Sequence, residues 1–343
     1  MGIDLRNSNS YSPLQDNLLE ESSSLADIVN AAEKRIVTVE DESGQQNIEI
    51  VCLPDRDSQK TVIVPVAWSD YPSRQFNLLR QAEAARAMQA EVLIVGFPGM
   101  SPDIKQEDSQ LTPLQLEELN SNEPSLKAVS DKLWDALLEA IRQTHNVVDP
   151  LQYLQNRRVN ILGYSQGASV AAGMLAAKPD HLMIHSVAYV ELADRMQPES
   201  KAKVFGRFAV DGMSAGKYYK ENRENYPDMP ETHKSASFIY LTRRFIGETT
   251  LRLMPQVFAK SSVRRDLKAA HQSGHLGEVS GHLVRRGSAS RVSSQEAADK
   301  LVNILRDEAD AYVGNDEFTG DNHSFQESLA RYRAASVNIL GSL

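Results

Sequence analysis

Five short strand-like runs set among helix-like sequence constrain this chain more than anything else in it. TVIVPVAW (61–68) is a near-continuous apolar run, and AEVLIVGFPG (90–99), RRVNILG (157–163), HLMIHSVAYVEL (181–192) and VSGHLVRRG (279–287) read as further strands of the same series. A strand that alternates apolar and polar residues covers a core with one face only. One that is apolar throughout is buried on both faces, as in a parallel sheet covered by helices. The intervening segments support this. QFNLLRQAEAARAMQA reads as a helix, and SLKAVSDKLWDALLEAIRQTH places apolar residues 126, 129, 133, 137 and 141 on one helical face. The expected fold class is α/β, a mostly parallel central sheet with helices on both faces. Before it, KRIVTVEDESGQQNIEIVCLP alternates on either side of Glu42-Ser43-Gly44 and reads as a β-hairpin.

The alternation lapses twice. Residues 1–33 are rich in Ser, Asn, Asp and Glu and read as a polar extension. Residues 195–275 interrupt the pattern between two strands and read as a helical cap or lid inserted into a core made of 34–194 and 276–343. The chain carries a net charge of −9, which argues against nucleic acid as a partner. The inserted segment is nevertheless basic, with 15 Lys/Arg against 8 Asp/Glu. It is either a basic subdomain on an acidic core or a rim that steers an anionic substrate. Its aromatic residues Tyr218, Tyr219, Phe238 and Tyr240 either line a substrate pocket or form the cap's own core. The single cysteine, Cys52, excludes an internal disulfide. With no signal-like start and no long apolar run, a cytoplasmic location is expected, with no membrane span.

The residues with chemistry in them cluster at GYSQG. In a GxSxG elbow the strand turns into a helix so sharply that the serine takes a strained backbone, and the residues two before and two after must be small. Gly163, Ser165 and Gly167 meet that requirement, with ILG closing a strand and ASVAAGMLAA opening a small-residue helix. Ser165 is therefore the expected nucleophile. The backbone N–H of Gln166, at the helix N-terminus, is an expected oxyanion donor.

From about residue 35 onward the chain resembles the α/β-hydrolase family, esterase- and lipase-like members in particular, through TVIVPVAW, EVLIVGFPGMS and GYSQG. The resemblance implies a serine hydrolase acting on carboxylic esters or thioesters, with a triad in the order Ser, acid, His. It implies His323, in GDNHSFQES before the last helix, as the general base. It also implies Trp68, by way of its N–H, as second oxyanion donor. Three residues past Gly287, where the family's usual acid belongs, this chain has Ser290. The alternative location after the sixth strand offers Glu191, with Asp194 as the other candidate. A peptidase or amide hydrolase would use the same residues, and a non-catalytic binding protein on this fold is the remaining alternative. No cofactor is expected. No metal site is expected either: His271 and His275, with His282 beyond, have a ligand-like spacing, but Ser-Gly intervenes. The expected partner is a small-molecule ester, anionic or aromatic in the readings above, and a homodimer is compatible with the reading.

Overall fold

The structure, a computed structural model, describes residues 27–42, 44–55, 58–66, 71–101, 103–104, 111–192, 262–287, 293–308 and 312–318. Eight strands form one sheet: β1 (Glu33–Asp41), β2 (Gly44–Leu53), β3 (Lys60–Pro65), β4 (Glu91–Val95), β5 (Arg158–Tyr164), β6 (Ile184–Val190), β7 (Gly281–Gly287) and β8 (Tyr312–Phe318), in the order β1-β2-β4-β3-β5-β6-β7-β8. The first two pair as the expected antiparallel hairpin, and β2 runs antiparallel to β4. From β4 to β8 every pairing is parallel. β4 and β7 are buried at every position, the polar Glu91, His282, Arg285 and Arg286 included, as befits strands covered on both faces, whereas the edge strand β1 alternates between exposed and buried residues.

Helices cover both faces. On one side lies α1 (Gln75–Met88), whose Ala82, Ala84, Ala85 and Met88 pack with Val62, Val64, Leu162 and Tyr164. The other face carries α3 (Lys127–His145), α5 (Gln166–Ala176), α6 (Val263–Gln272) and α7 (Gln295–Glu308). The stripe Leu126, Val129, Leu133, Leu137 and Ile141 is buried throughout, as its spacing predicts. α5 can approach α3 closely because it is made of small residues. A Cβ on Gly173 would lie 2.6 Å from the Ser130 hydroxyl, and Trp134 Nε1 donates to the Met174 carbonyl at 2.8 Å.

Two short helices, α2 (Pro113–Asn120) and α4 (Pro150–Gln155), were not anticipated from periodicity. Both are specified at their starts. Thr112 and Gln115 form a capping box and Asp149 caps α4, each followed by proline at the first helical position. α3 is capped from elsewhere in the chain. Asp266, buried on α6, accepts hydrogen bonds from the Ser125 hydroxyl at 2.6 Å and the Leu126 N–H at 3.1 Å. The end of the 195–275 segment is thus tied into the helical layer. The rest of that segment, the basic rim and aromatic residues with it, lies outside the described residues, as do residues 1–26. No helix among the described residues is long and apolar enough to cross a membrane.

Candidate active site

The chain passes from β3 outward to β4, then returns to β5 on the other flank of β3 and proceeds away through β6 and β7. The sheet order therefore reverses between β3 and β5. In open α/β sheets the crevice at the carboxyl ends of the strands flanking such a reversal is where ligands bind. Ser165 is the residue immediately after β5, at that crevice.

Its backbone is unusual: φ is 56° and ψ is −120°, a region that residues with a side chain rarely occupy. The neighbours hold it there. The Ser165 N–H donates to the Val190 carbonyl of β6 at 2.8 Å, and α5 begins at the next residue. Gly163 leaves no alternative, because a Cβ there would lie 2.5 Å from the Gly167 carbonyl oxygen and 2.6 Å from Ala168 Cα. Gly163→Ala is accordingly expected to cost about 2 kcal/mol, since backbone on both sides must move. The check is a lower urea midpoint at unchanged slope; an unshifted midpoint would contradict the packing described.

Glu191 stands beside the elbow. It follows β6, whose Val190 is paired with Tyr164, so the residues after β5 and β6 are neighbours at one rim. Like Ser165 it has a positive φ, 53°, and it is fully buried. Its N–H donates to the Arg285 carbonyl at 2.8 Å, and its Oε1 accepts a short hydrogen bond from the Gly287 N–H at the end of β7. A buried carboxylate held by a backbone N–H is oriented as well as stabilised. Arg285 and Arg286, at the same strand end, are buried, and Arg286 binds the Ser293 carbonyl and Gln295.

A parallel sheet reversing between β3 and β5, with a strained serine elbow after β5, has one established name. The fold is that of the α/β hydrolases.

No protein-family model matches the chain, and no curated protein does. Similar solved structures include an esterase from Pyrobaculum calidifontis, at 12% identity and a TM-score of 0.49 over 95% of this chain and 90% of that one. Carboxyl esterase 2 from Tuber melanosporum is similar at 10% identity and a TM-score of 0.49, over 91% of this chain and 86% of that one. A bromoperoxidase from Bacillus anthracis shows 13% identity and a TM-score of 0.49, over 90% and 100%. At such levels of likeness the chemistry has to be argued from this chain's own residues.

Of the residues expected at the site, this α/β-hydrolase fold brings Gly163, Ser165, Gln166, Gly167 and Glu191 together at one rim. Trp68, Asp194, Ser290 and His323 lie outside the described residues. β8 runs parallel to β7 and ends with Phe318 opposite Gly287, so the chain leaves the sheet at this same rim, five residues before His323. The three histidines with ligand-like spacing are dispersed. His271 closes α6, His275 faces Asp180 at 3.7 Å, and His282 is buried in β7. The described side chains that do have a metal-ligand arrangement were not singled out from the sequence: Cys52, Glu91 and His145, at the far edge of the sheet. They are 39 and 54 residues apart along the chain, so no local motif announces them.

Proposed function

We propose that the chain is a serine hydrolase of carboxylic esters, working through an acyl-enzyme on Ser165. The observation that carries this reading is the strained backbone of Ser165 at the carboxyl end of β5, in contact with β6 and directly before α5. Strain of this kind persists where the surrounding structure enforces it, and it presents the hydroxyl clear of the strand. In the proposed sequence of steps His323 accepts the Ser165 proton as Oγ attacks the substrate carbonyl. The tetrahedral oxyanion accepts hydrogen bonds from the N–H groups of Gln166 and Trp68. His323 then protonates the departing alcohol, leaving an acyl-serine. Water, losing its proton to His323, attacks that ester and releases the acid.

Glu191 serves as the acid of this triad. A serine at position 290 cannot stabilise an imidazolium, so a carboxylate must come from another element. Glu191 starts from β6, yet its Oε1 is bound at Gly287, the last residue of β7 and three residues before Ser290 in sequence. The side chain thus delivers a negative charge from the neighbouring strand to the region the usual acid would occupy.

A fluorophosphonate probe tests the reading. One equivalent is expected to bond covalently to Ser165, located by peptide mass spectrometry, with a rate that collapses in His323→Ala. An inert serine in folded protein would favour the non-catalytic alternative. Hydrolysis of amides in preference to the matched esters would favour a peptidase or amidase.

A further inference from the structure

At the edge of the sheet away from Ser165, three side chains with metal-binding atoms converge. Cys52 comes from the end of β2, Glu91 opens β4, and His145 closes α3. The Cys52 sulfur, a Glu91 oxygen and a His145 ring nitrogen all lie within 4.8 Å of one another. Glu91 Oε1 is 2.6 Å from His145 Nε2 and 3.4 Å from Cys52 Sγ. The cluster is remote from the elbow: Thr61, beside Glu91, pairs with Val159 at the start of β5, about 20 Å of strand short of Ser165. We propose that Cys52, Glu91 and His145 form a binding site for a thiophilic divalent cation of the zinc type, separate from the hydrolytic site.

The geometry is close to what such an ion needs. Tetrahedral zinc with sulfur, nitrogen and oxygen ligands at about 2.0–2.3 Å sets its ligand atoms roughly 3.3–3.6 Å apart. Cys52 already stands at that distance from Glu91. The His145–Glu91 contact has to open by less than about 1 Å, within reach of small torsional changes, and the Cys52 sulfur and His145 nitrogen, within 4.8 Å of each other, have to settle at a similar spacing. One thiolate, one imidazole and one carboxylate favour zinc or cobalt over calcium or magnesium, which prefer oxygen alone.

The two oxygens of Glu91 divide their work. Oε1 faces the cysteine and histidine. Oε2 accepts from Thr61 Oγ1 and from the Tyr153 hydroxyl, each at 3.2 Å. Arg157 donates to Thr61 at 2.8 Å and stands 3.8 Å from the same oxygen. Donors on the outer oxygen fix the carboxylate while leaving the inner one for a ligand, and metal-binding carboxylates are supported in this way. The Tyr153 ring stacks on His145 with centroids 4.5 Å apart, holding the imidazole plane. Its hydroxyl is 3.3 Å from both Glu91 Oε1 and His145 Nε2, a further oxygen at the cluster.

Glu91 is buried, and among the described residues its ion-pair partners are Arg157 and the cluster's own His145. A divalent ion takes the thiol proton's place on sulfur, and the proton leaves to solvent. His145 keeps 16% of its side-chain surface exposed, so its ring is where the cluster meets solvent, while Cys52 and Glu91 are buried beneath it.

The chain has one cysteine, so a cobalt–thiolate absorption band can arise only at Cys52. Full-length reduced protein, stripped with chelator and titrated with cobalt(II), is expected to develop that band together with the intense visible absorption of four-coordinate cobalt. It saturates at one ion per chain, and zinc(II) displaces it. Cys52→Ser abolishes the band, and Glu91→Gln and His145→Ala each weaken binding at least about 100-fold. Thr61→Val, which touches only the outer oxygen, weakens it about 10-fold. Zinc is also expected to raise the melting temperature of wild type but not of Cys52→Ser, a readout independent of colour. No thiolate band at excess cobalt, a band indifferent to His145→Ala, or a melting temperature unmoved by zinc overturns the proposal. None of these readouts involves hydrolysis, so the Ser165 reading stands or falls separately.

Discussion

Glu191→Gln is expected to lower kcat/KM on p-nitrophenyl esters by about 10³- to 10⁴-fold, a loss of the size found when a triad acid is replaced by its amide. Asp194→Asn is expected to change it by less than about threefold, and Ser165→Ala to reduce turnover to the level of the oxyanion donors alone. The amide keeps nearly the size of Glu191 and a carbonyl oxygen that accepts from the Gly287 N–H. The fold at the end of β7 therefore survives, and the loss reports the missing charge. Without that charge the imidazolium formed as Ser165 attacks is unsupported, so the defect should fall mainly on kcat. Graded chain lengths, assayed on all three variants, also report the acyl pocket. A large loss in Asp194→Asn with Glu191→Gln unaffected would transfer the acid to position 194. Equal turnover by Ser165→Ala and wild type would sink the acyl-enzyme.

How far the sequence discloses this arrangement depends on the range of the forces involved. The buried strands were legible because double-sided burial favours apolar runs, and β3 to β7 lie where the strand-like runs fall. The need for a small residue at 163 was legible because its constraint is local: Gly163 meets its steric partners, Gly167 and Ala168, within five residues. α2 and α4 were missed because they are too short to show a period, although Thr112-Pro-Leu-Gln115 and Asp149-Pro150 signal helix starts. β8 runs to Phe318 because main-chain pairing to β7 carries Asn315, Asp316 and Glu317 regardless of their polarity. Glu191 was legible as a candidate by position, but its bond to Gly287, 96 residues away, is a product of strand order. The cluster around Glu91 is of the same kind. Strands β2 and β4 and helix α3 deliver its members, and nothing near any of them in sequence announces the others.

Stability is expected to fall by about 2 kcal/mol between pH 8 and pH 5 on account of one side chain, His282. It lies fully buried in β7, its ring stacked near Tyr189 with centroids 6.2 Å apart, and neither ring nitrogen makes a hydrogen bond of ordinary geometry. Burial pushes its pKa from 6.5 down to about 4, and the nearby backbone of Leu276 offsets this only slightly. The unfolded chain therefore binds a proton between those two values that the folded chain refuses. The sign follows. The full stability is present above pH 6.5 and declines as acid is added, by about 3 kcal/mol in all once pH has passed below 4. His282→Phe keeps a ring against Tyr189 and removes the titration along with two unpartnered polar atoms. Urea unfolding of the two proteins at intervals from pH 8 to pH 4.5 isolates the effect, since carboxylates contribute alike to both. The two curves should keep a constant separation on the alkaline side and draw progressively further apart below pH 6.5, with the phenylalanine variant the more stable. Parallel curves across that range would mean that the imidazole is protonated as easily inside the fold as outside it.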